Sequence, residues 1–371
     1  MQNSTVPKRL QSLDTLRGFD MFWIAGGGKI FHVLAAATGW GWALVIDDQL
    51  SHPDWNGFRA YDLIFPLFLF MAGVSTPFSL GSRLEKGVPK SELLRKVIQR
   101  GLVLVALGVL YNNGLFKTNW EEMRYGSVLG RIGLAGMFAQ ILYLYNGKKA
   151  LWIWFVGLLI GYWAFIMLVP VPGCGAGLMI QECNPASYLD SIVMPGRLLR
   201  GDHDPEGLLS TVPAIGTGLL GIFAGNLLRT SNSVVSENRK VITLAVAGVV
   251  SIVLAVIWDT VFPINKNLWT SSFVLLAGGL SSLLLALFYW IIDVMNYRRW
   301  TFFFMVIGMN SIVIYMIKKF IDFNYTTQAL FGGILSYFPE PVEQIGGAIA
   351  QVGVLWGFMY ILYRNKWFLK V

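Results

Sequence analysis

Ten stretches of this chain are each long and apolar enough to cross a lipid bilayer, and that repetition leaves few architectures open. A helix needs roughly 20 apolar residues to traverse the hydrocarbon. Such runs lie near 15–38, 61–80, 97–116, 127–146, 150–169, 211–229, 241–261, 268–292, 301–321 and 344–363. The expected fold class is therefore all-α, a polytopic transmembrane bundle of about ten helices forming one domain over 1–371. Only 13% of the residues are charged, about half the share of a soluble domain, so the chain lacks the polar surface to face water. Its 40 Gly and 14 Trp suit helices that approach closely and are belted by aromatics at the interfaces.

Lysine and arginine set the expected orientation. With the N-terminus inside, inner loops and termini hold 19 of the 29 basic residues. The outer side holds eight, and Lys29 and Arg131 fall within helices. This asymmetry places both termini in the cytoplasm. The net charge of +8 then reads as topology and attraction to anionic membrane lipid, and nucleic acid is not an expected partner. The first apolar run follows Lys8, Arg9 and Arg17 and is too long for a signal-peptide core, so no cleavable leader is expected. Two cysteines, Cys174 and Cys183, are too few for a thiolate metal site, and no metal is expected. They share one outer loop, where a disulfide and two unpaired small residues both remain open.

Ionisable side chains inside spans cost about 2.5–3.5 kcal/mol each on insertion scales, so each is a functional candidate. Asp14, Arg17 and Asp20 lie three apart on one face of the first span, as a neutralising network or as ligand contacts. Further along come Gly26, Gly27, Gly28, Lys29 and His32, where the glycines weaken the helix and leave room beside it. Lys29 lies about 18 Å beyond Arg17, in the outer half. His52 falls in a turn just before the second span, which Asp62 opens. A histidine is suited to accept a proton near neutral pH, although a loop histidine is more often an ordinary surface residue. His203 lies between carboxylates in what reads as an exposed run, and His32 reads as a packing residue within its span. Asn112, Asn113, Arg131, Asp259 and Asn310 add polar groups to the spans, and most of the carboxylates lie in the outer half. The result is a polar, acidic outer vestibule that suits an amine-bearing substrate.

These motifs, in this order, resemble the heparan-alpha-glucosaminide N-acetyltransferase family and its bacterial NagX-like relatives, within the wider transmembrane acyltransferases. The matching stretches are Ser12-Leu13-Asp14 with Arg17-Gly18, Gly26-Gly27-Gly28-Lys29, His52 with Trp55-Asn56-Gly57, and Asp62-Leu63-Ile64-Phe65-Pro66. Later come Leu129-Gly130-Arg131-Ile132, Asp204-Pro205-Glu206-Gly207, Asn265-Lys266-Asn267-Leu268-Trp269-Thr270 and Gly308-Met309-Asn310-Ser311-Ile312. Two departures bear on the acceptor pocket. Ala25 stands where the family has Asn before the glycines, and a longer segment with Trp40, Trp42, Asp47 and Asp48 separates Lys29 from His52.

The resemblance implies transfer of an acetyl group from cytoplasmic acetyl-CoA to an amino sugar or oligosaccharide on the far side of the cell inner membrane. The family's active-site histidine carries over to His52; Asp62 or Asp54 is then the candidate to orient the imidazole, and Lys29, Asn113, Asn310 or Asn267 the candidate to hold the developing oxyanion. Arg17 and Arg100, with Asp14 and Asn310, are the candidates for holding CoA. Asn56, Asn113, Arg131, Lys266, Asn267 and Trp269 are the candidates for the acceptor. Direct attack and an acetyl-histidine route both fit, and a homodimer is left open. Two other readings share these residues: an O-acyltransferase acting on a cell-envelope polysaccharide, and a secondary transporter.

Overall fold

The structure is a computed structural model and describes residues 10–369. Every extended regular element among them is a helix, and only two isolated β-bridges occur, Arg124 with Gly196 and Val171 with Gly175. That follows from the solvent: hydrocarbon offers no hydrogen bonds, so a spanning backbone must satisfy itself. Helix α1 is Gln11–Thr38, α3 Ala60–Glu85, α5 Val128–Tyr145, α6 Lys148–Leu168, α8 Thr211–Arg229, α9 Glu237–Asp259, α10 Ser271–Val294 and α14 Glu340–Arg364. These eight are long and apolar enough to cross a membrane. The pair α11 (Thr301–Gly308) and α12 (Ser311–Phe320) would make a ninth span, broken by a 67° bend. Helix α4, Lys90–Asn113, corresponds to the remaining expected span. It is long enough, but Lys90, Glu92, Arg95 and Lys96 at one end and two asparagines at the other leave only its middle apolar.

Three shorter helices lie in the long loops: α2 (Gly41–Gln49), α7 (Pro185–Val193) and α13 (Phe323–Leu335). Polar side chains start several elements where the sequence supplies a cap. Ser127 accepts from the Gly130 N–H at α5, Asn184 from Ser187 at α7, and Asp322 from Asn324 and Tyr325 at α13. The glycine run in α1 does not end the helix. It makes a π-turn over Trp23–Gly27, with Gly26 at φ 141°, a conformation other residues rarely adopt.

Helix α8 is the centre of the bundle, with 72% of its most apolar 18 residues buried against 17% for the peripheral α9. Its contact with α3 is backbone on backbone. A Cβ on Gly221 would stand 2.0 Å from the Phe70 carbonyl oxygen, and one on Gly73 would stand 2.2 Å from that of Gly218. Apolar burial drives little association between helices in lipid, so close packing of small residues carries it instead. Gly18 makes the same kind of contact with Phe304, joining α1 to α11.

The loops 39–60, 114–127, 170–210 and 260–270 meet at one end of the bundle. Trp55 Nε1 donates to the Met179 carbonyl at 2.5 Å, Gly57 N–H to Ile264 at 2.8 Å, and Arg124 pairs with Asp204 at 2.6 Å. Cys174 and Cys183 are joined by a disulfide within this layer. Replacing Gly221 by Val should cost about 1–3 kcal/mol or more, because a β-branched side chain has no room against the α3 backbone. Gly157→Val, where no atom lies within 4 Å of the added carbon, should melt like the parent. Thermal denaturation of both variants in detergent measures the difference.

Candidate active site

The turn after α2 and the first turn of α3 bring His52 and Asp62 together. Asp62 is fully buried, and its Oδ1 lies 2.6 Å from His52 Nδ1. Its Oδ2 accepts the Arg59 backbone N–H at 3.0 Å, which fixes the carboxylate at the helix start. A carboxylate only accepts, so Nδ1 carries the proton and Nε2 presents a lone pair. The His52 side chain is 47% exposed, so that lone pair is reachable from outside the core. Arg59 adds a bond to the His52 carbonyl at 2.9 Å and an ion pair to Asp48 at 2.9 Å, pinning the turn. The Tyr61 ring lies against the imidazole, with centroids 5.2 Å apart. A buried acid orienting an exposed imidazole is the arrangement of a general base.

Lys266, read from sequence as an acceptor contact, belongs to this pair. Its Nζ is 3.1 Å from Asp62 Oδ1 and within 3.4 Å of both ring nitrogens of His52. Burial lowers its ammonium pKa, and Asp62 offsets part of that. Asn56 and Asn267 lie beside it: Asn56 Oδ1 accepts from Asn265 at 2.9 Å, and Asn267 reaches the Trp55 carbonyl at 3.5 Å. These bonds dock the His52 turn onto the 260–270 loop.

Several sequence candidates do not meet this centre. Lys29 donates to Asn324 at 2.7 Å and Gln351 at 2.8 Å, in a neighbouring 590 Å³ cavity that includes Ser51 and Tyr61. His32 opens into the same cavity, 3.1 Å from Asp47, and is exposed rather than packed. Asn113 is consumed by the backbone of Arg124, giving to its carbonyl and taking from its N–H, both at 2.9 Å. Trp269 is 3% exposed, in the core, and donates to Thr217. Arg131 is also buried, its guanidinium 4.8 Å over the Trp269 ring and bonded to Ser210. Asp259 accepts the Ile264 N–H at 2.6 Å and shapes that loop.

Among the cofactor candidates, Arg17 and Arg100 line one cavity of 230 Å³ between α1, α3, α4, α5 and α11–α12. Arg17 bonds Ser75 and lies 3.7 Å from Asp14, which does not line the cavity. Asn310 spends both ends of its amide on the backbone of Trp367 and Leu369, and so anchors the C-terminal segment. Among the described residues there is no group of three or more His, Cys, Asp or Glu placed to hold a metal.

A second polar cluster braces the site. Asp204 takes two bonds from the Arg124 guanidinium, at 2.8 and 2.6 Å, and Glu206 pairs with the same arginine. Arg124 escaped the sequence reading, since an arginine in a polar loop carries no pattern. His203 is 1% exposed instead of solvent-facing, bonded to Ser187 at 2.8 Å and covered by Trp55. Burial pushes its pKa down to about 4 despite the neighbouring carboxylates. Burial likewise pushes Asp190 up to about 6, against the N–H bonds from Leu208 and Leu209.

Comparison with known proteins agrees with the motif order. Residues 9–258 match the family described as heparan-alpha-glucosaminide N-acetyltransferase, catalytic. The human heparan-alpha-glucosaminide N-acetyltransferase is 27% identical over 99% of this chain and 61% of its own length. The mouse protein of that name is 26% identical over 98% and 60%. The chain thus spans about three fifths of these relatives.

His203 and Asp190 make opposing contributions to stability as pH changes. A histidine with a depressed pKa loses stability as pH falls from 6.5 towards 4, because only the unfolded chain takes the proton. A carboxylate with a raised pKa gains stability as pH falls from 6 towards 4, because the folded chain protonates first. Each effect is worth up to about 3 kcal/mol. Relative to the parent, Asp190→Asn should melt progressively lower, and His203→Gln progressively higher, as pH goes from 6.5 to 4. Melting curves in detergent across that range give the two slopes.

Proposed function

The chain belongs to the heparan-alpha-glucosaminide N-acetyltransferase family, and on that premise we propose that it transfers an acetyl group from acetyl-CoA to the amine of an amino sugar. The observation that carries this reading is the 2.6 Å contact between the buried Asp62 carboxylate and the exposed His52 imidazole. Asp62 holds Nδ1–H, so His52 Nε2 takes the proton from the acceptor amine as its nitrogen attacks the thioester carbonyl. The carbon–sulfur bond breaks, and the imidazolium returns the proton to the departing thiolate, leaving no net proton. Lys266, within 3.4 Å of the imidazole, is the cation best placed to stabilise the developing oxyanion. It takes the part for which Lys29 was the sequence candidate.

Arg17 and Arg100 hold the phosphates of the donor in this proposal, which fits their shared cavity. The basic bias of 19 residues to eight supports cytoplasmic termini, a donor entering from inside, and His52 on the outer face of a bacterial inner membrane. Impermeant thiol reagents on whole cells should then label Glu182→Cys and spare Ser236→Cys, in a background without Cys174 and Cys183. Labelling of Ser236→Cys alone inverts the orientation.

His52→Ala should lower acetyl transfer by roughly 10²–10⁴-fold. Asp62→Asn should lower it by a smaller factor, through loss of the correct tautomer. Both variants should bind CoA as the parent does. Turnover of acetyl-CoA with glucosamine measures this, and a His52→Ala protein with most of its activity removes the base assignment.

A further inference from the structure

Asp20 is a buried carboxyl whose packing leaves one oxygen unpaired among the described residues. The residue is 2% exposed, and its Oδ2 has no hydrogen-bond partner among the described residues. No ion pair among the described residues compensates it, although Asp14 and Arg17, earlier on α1, lie 3.7 Å from each other. An uncompensated buried polar group costs stability, more so if charged, and each instance in a native protein calls for a reason.

Its location supplies one. Asp20 lines a constriction of only 20 Å³ whose other walls are almost wholly apolar, Phe65 and Phe68 among them. Below, the constriction shares Phe68 and Ile132 with the Arg17–Arg100 cavity. Above, it shares Ile64 and Asp20 itself with a cavity of 310 Å³ that reaches Tyr61, the ring against His52. Phe65, in its wall, also packs under the Lys266 ammonium at 5.4 Å. Along α3, the ten residues from Ala72 beside Arg17 to Asp62 span about 15 Å, a length that an extended pantetheine arm can cover. The constriction has room for about one water, so passage requires rotamer changes at the phenylalanines.

We propose that Asp20 is a donor-binding residue: its carboxyl takes an amide N–H of the pantetheine arm threaded from the Arg17–Arg100 cavity towards His52. This rests on the acetyl-CoA reading above. The arm is apolar but for its hydroxyl and two secondary amides, and an amide drawn out of water into this passage needs an acceptor. Asp20 is the carboxyl lining the constriction, and its Oδ2 is unengaged.

Isothermal titration of the full-length protein in detergent separates the arm from the nucleotide. The probes are CoA and 3′,5′-ADP, which lacks the arm. Asp20→Ala should raise the Kd for CoA about ten-fold, as the loss of one buried hydrogen bond would, and leave that for 3′,5′-ADP within two-fold. Asp20→Asn, which keeps a neutral acceptor, should fall between. Arg17→Ala should weaken both probes. Without ligand, Asp20→Asn should melt no lower than the parent, which distinguishes a lost contact from a damaged fold. Parent-like CoA binding by Asp20→Ala, or equal losses for CoA and 3′,5′-ADP, overturns the assignment of Asp20. Failure of the parent to bind either probe overturns the acetyl-CoA reading itself.

Discussion

The fully buried Asp62 carboxylate is the point on which the polar end of the molecule depends. Its two oxygens take the His52 imidazole, the Lys266 ammonium and the Arg59 N–H, so one side chain ties the 52–59 turn, α3 and the 260–270 loop together. A carboxylate without exposure is tolerable only when paired and hydrogen-bonded. Meeting that demand creates the site: the groups that compensate Asp62 are the groups that can do chemistry. Structural need and the geometry of the candidate site coincide in these few atoms.

The bundle beneath provides the rigidity this requires. Helices α3 and α8 meet through glycine backbones along the middle of α3, so the helix that carries Asp62 is held by contacts with no room for a side chain. The Arg124–Asp204–Glu206 cluster and the Cys174–Cys183 disulfide brace the loop layer from the other side. His203 belongs to this bracing, since Trp55 packs on it and the same tryptophan leads into the Asn56–Asn265 bond. The 52–59 turn is therefore held at both ends, by a helix start and by a docked loop.

Much of this architecture was legible in the chain. Runs of about 20 apolar residues are unambiguous because hydrocarbon thickness is a fixed length, and each of the ten corresponds to a helix or a helix pair. The glycine run in α1 read correctly as a weak point, where the structure has a π-turn. Charge placement along the spans marked most of the polar residues that matter. It did not sort them. Asn113, Asn310 and Asp259 are polar because irregular backbone next to them needs partners, and a sequence does not distinguish that need from a ligand's. Arg131 stacks over Trp269 in the core and bonds Ser210 there.

The sequence by itself determined the helices, their order and the family, because these depend on local hydropathy and on motifs contiguous in the chain. Only the tertiary structure decided which charges meet. Lys29 and Lys266 are equally conspicuous as lysines, yet one lies with Asn324 and Gln351 while the other shares a carboxylate with His52. His203 and His52 are both loop histidines, and burial made one a neutral packing group while leaving the other open to solvent. Pairing across more than 200 residues and burial by distant segments are properties of packed helices, and no local pattern in the chain encodes them.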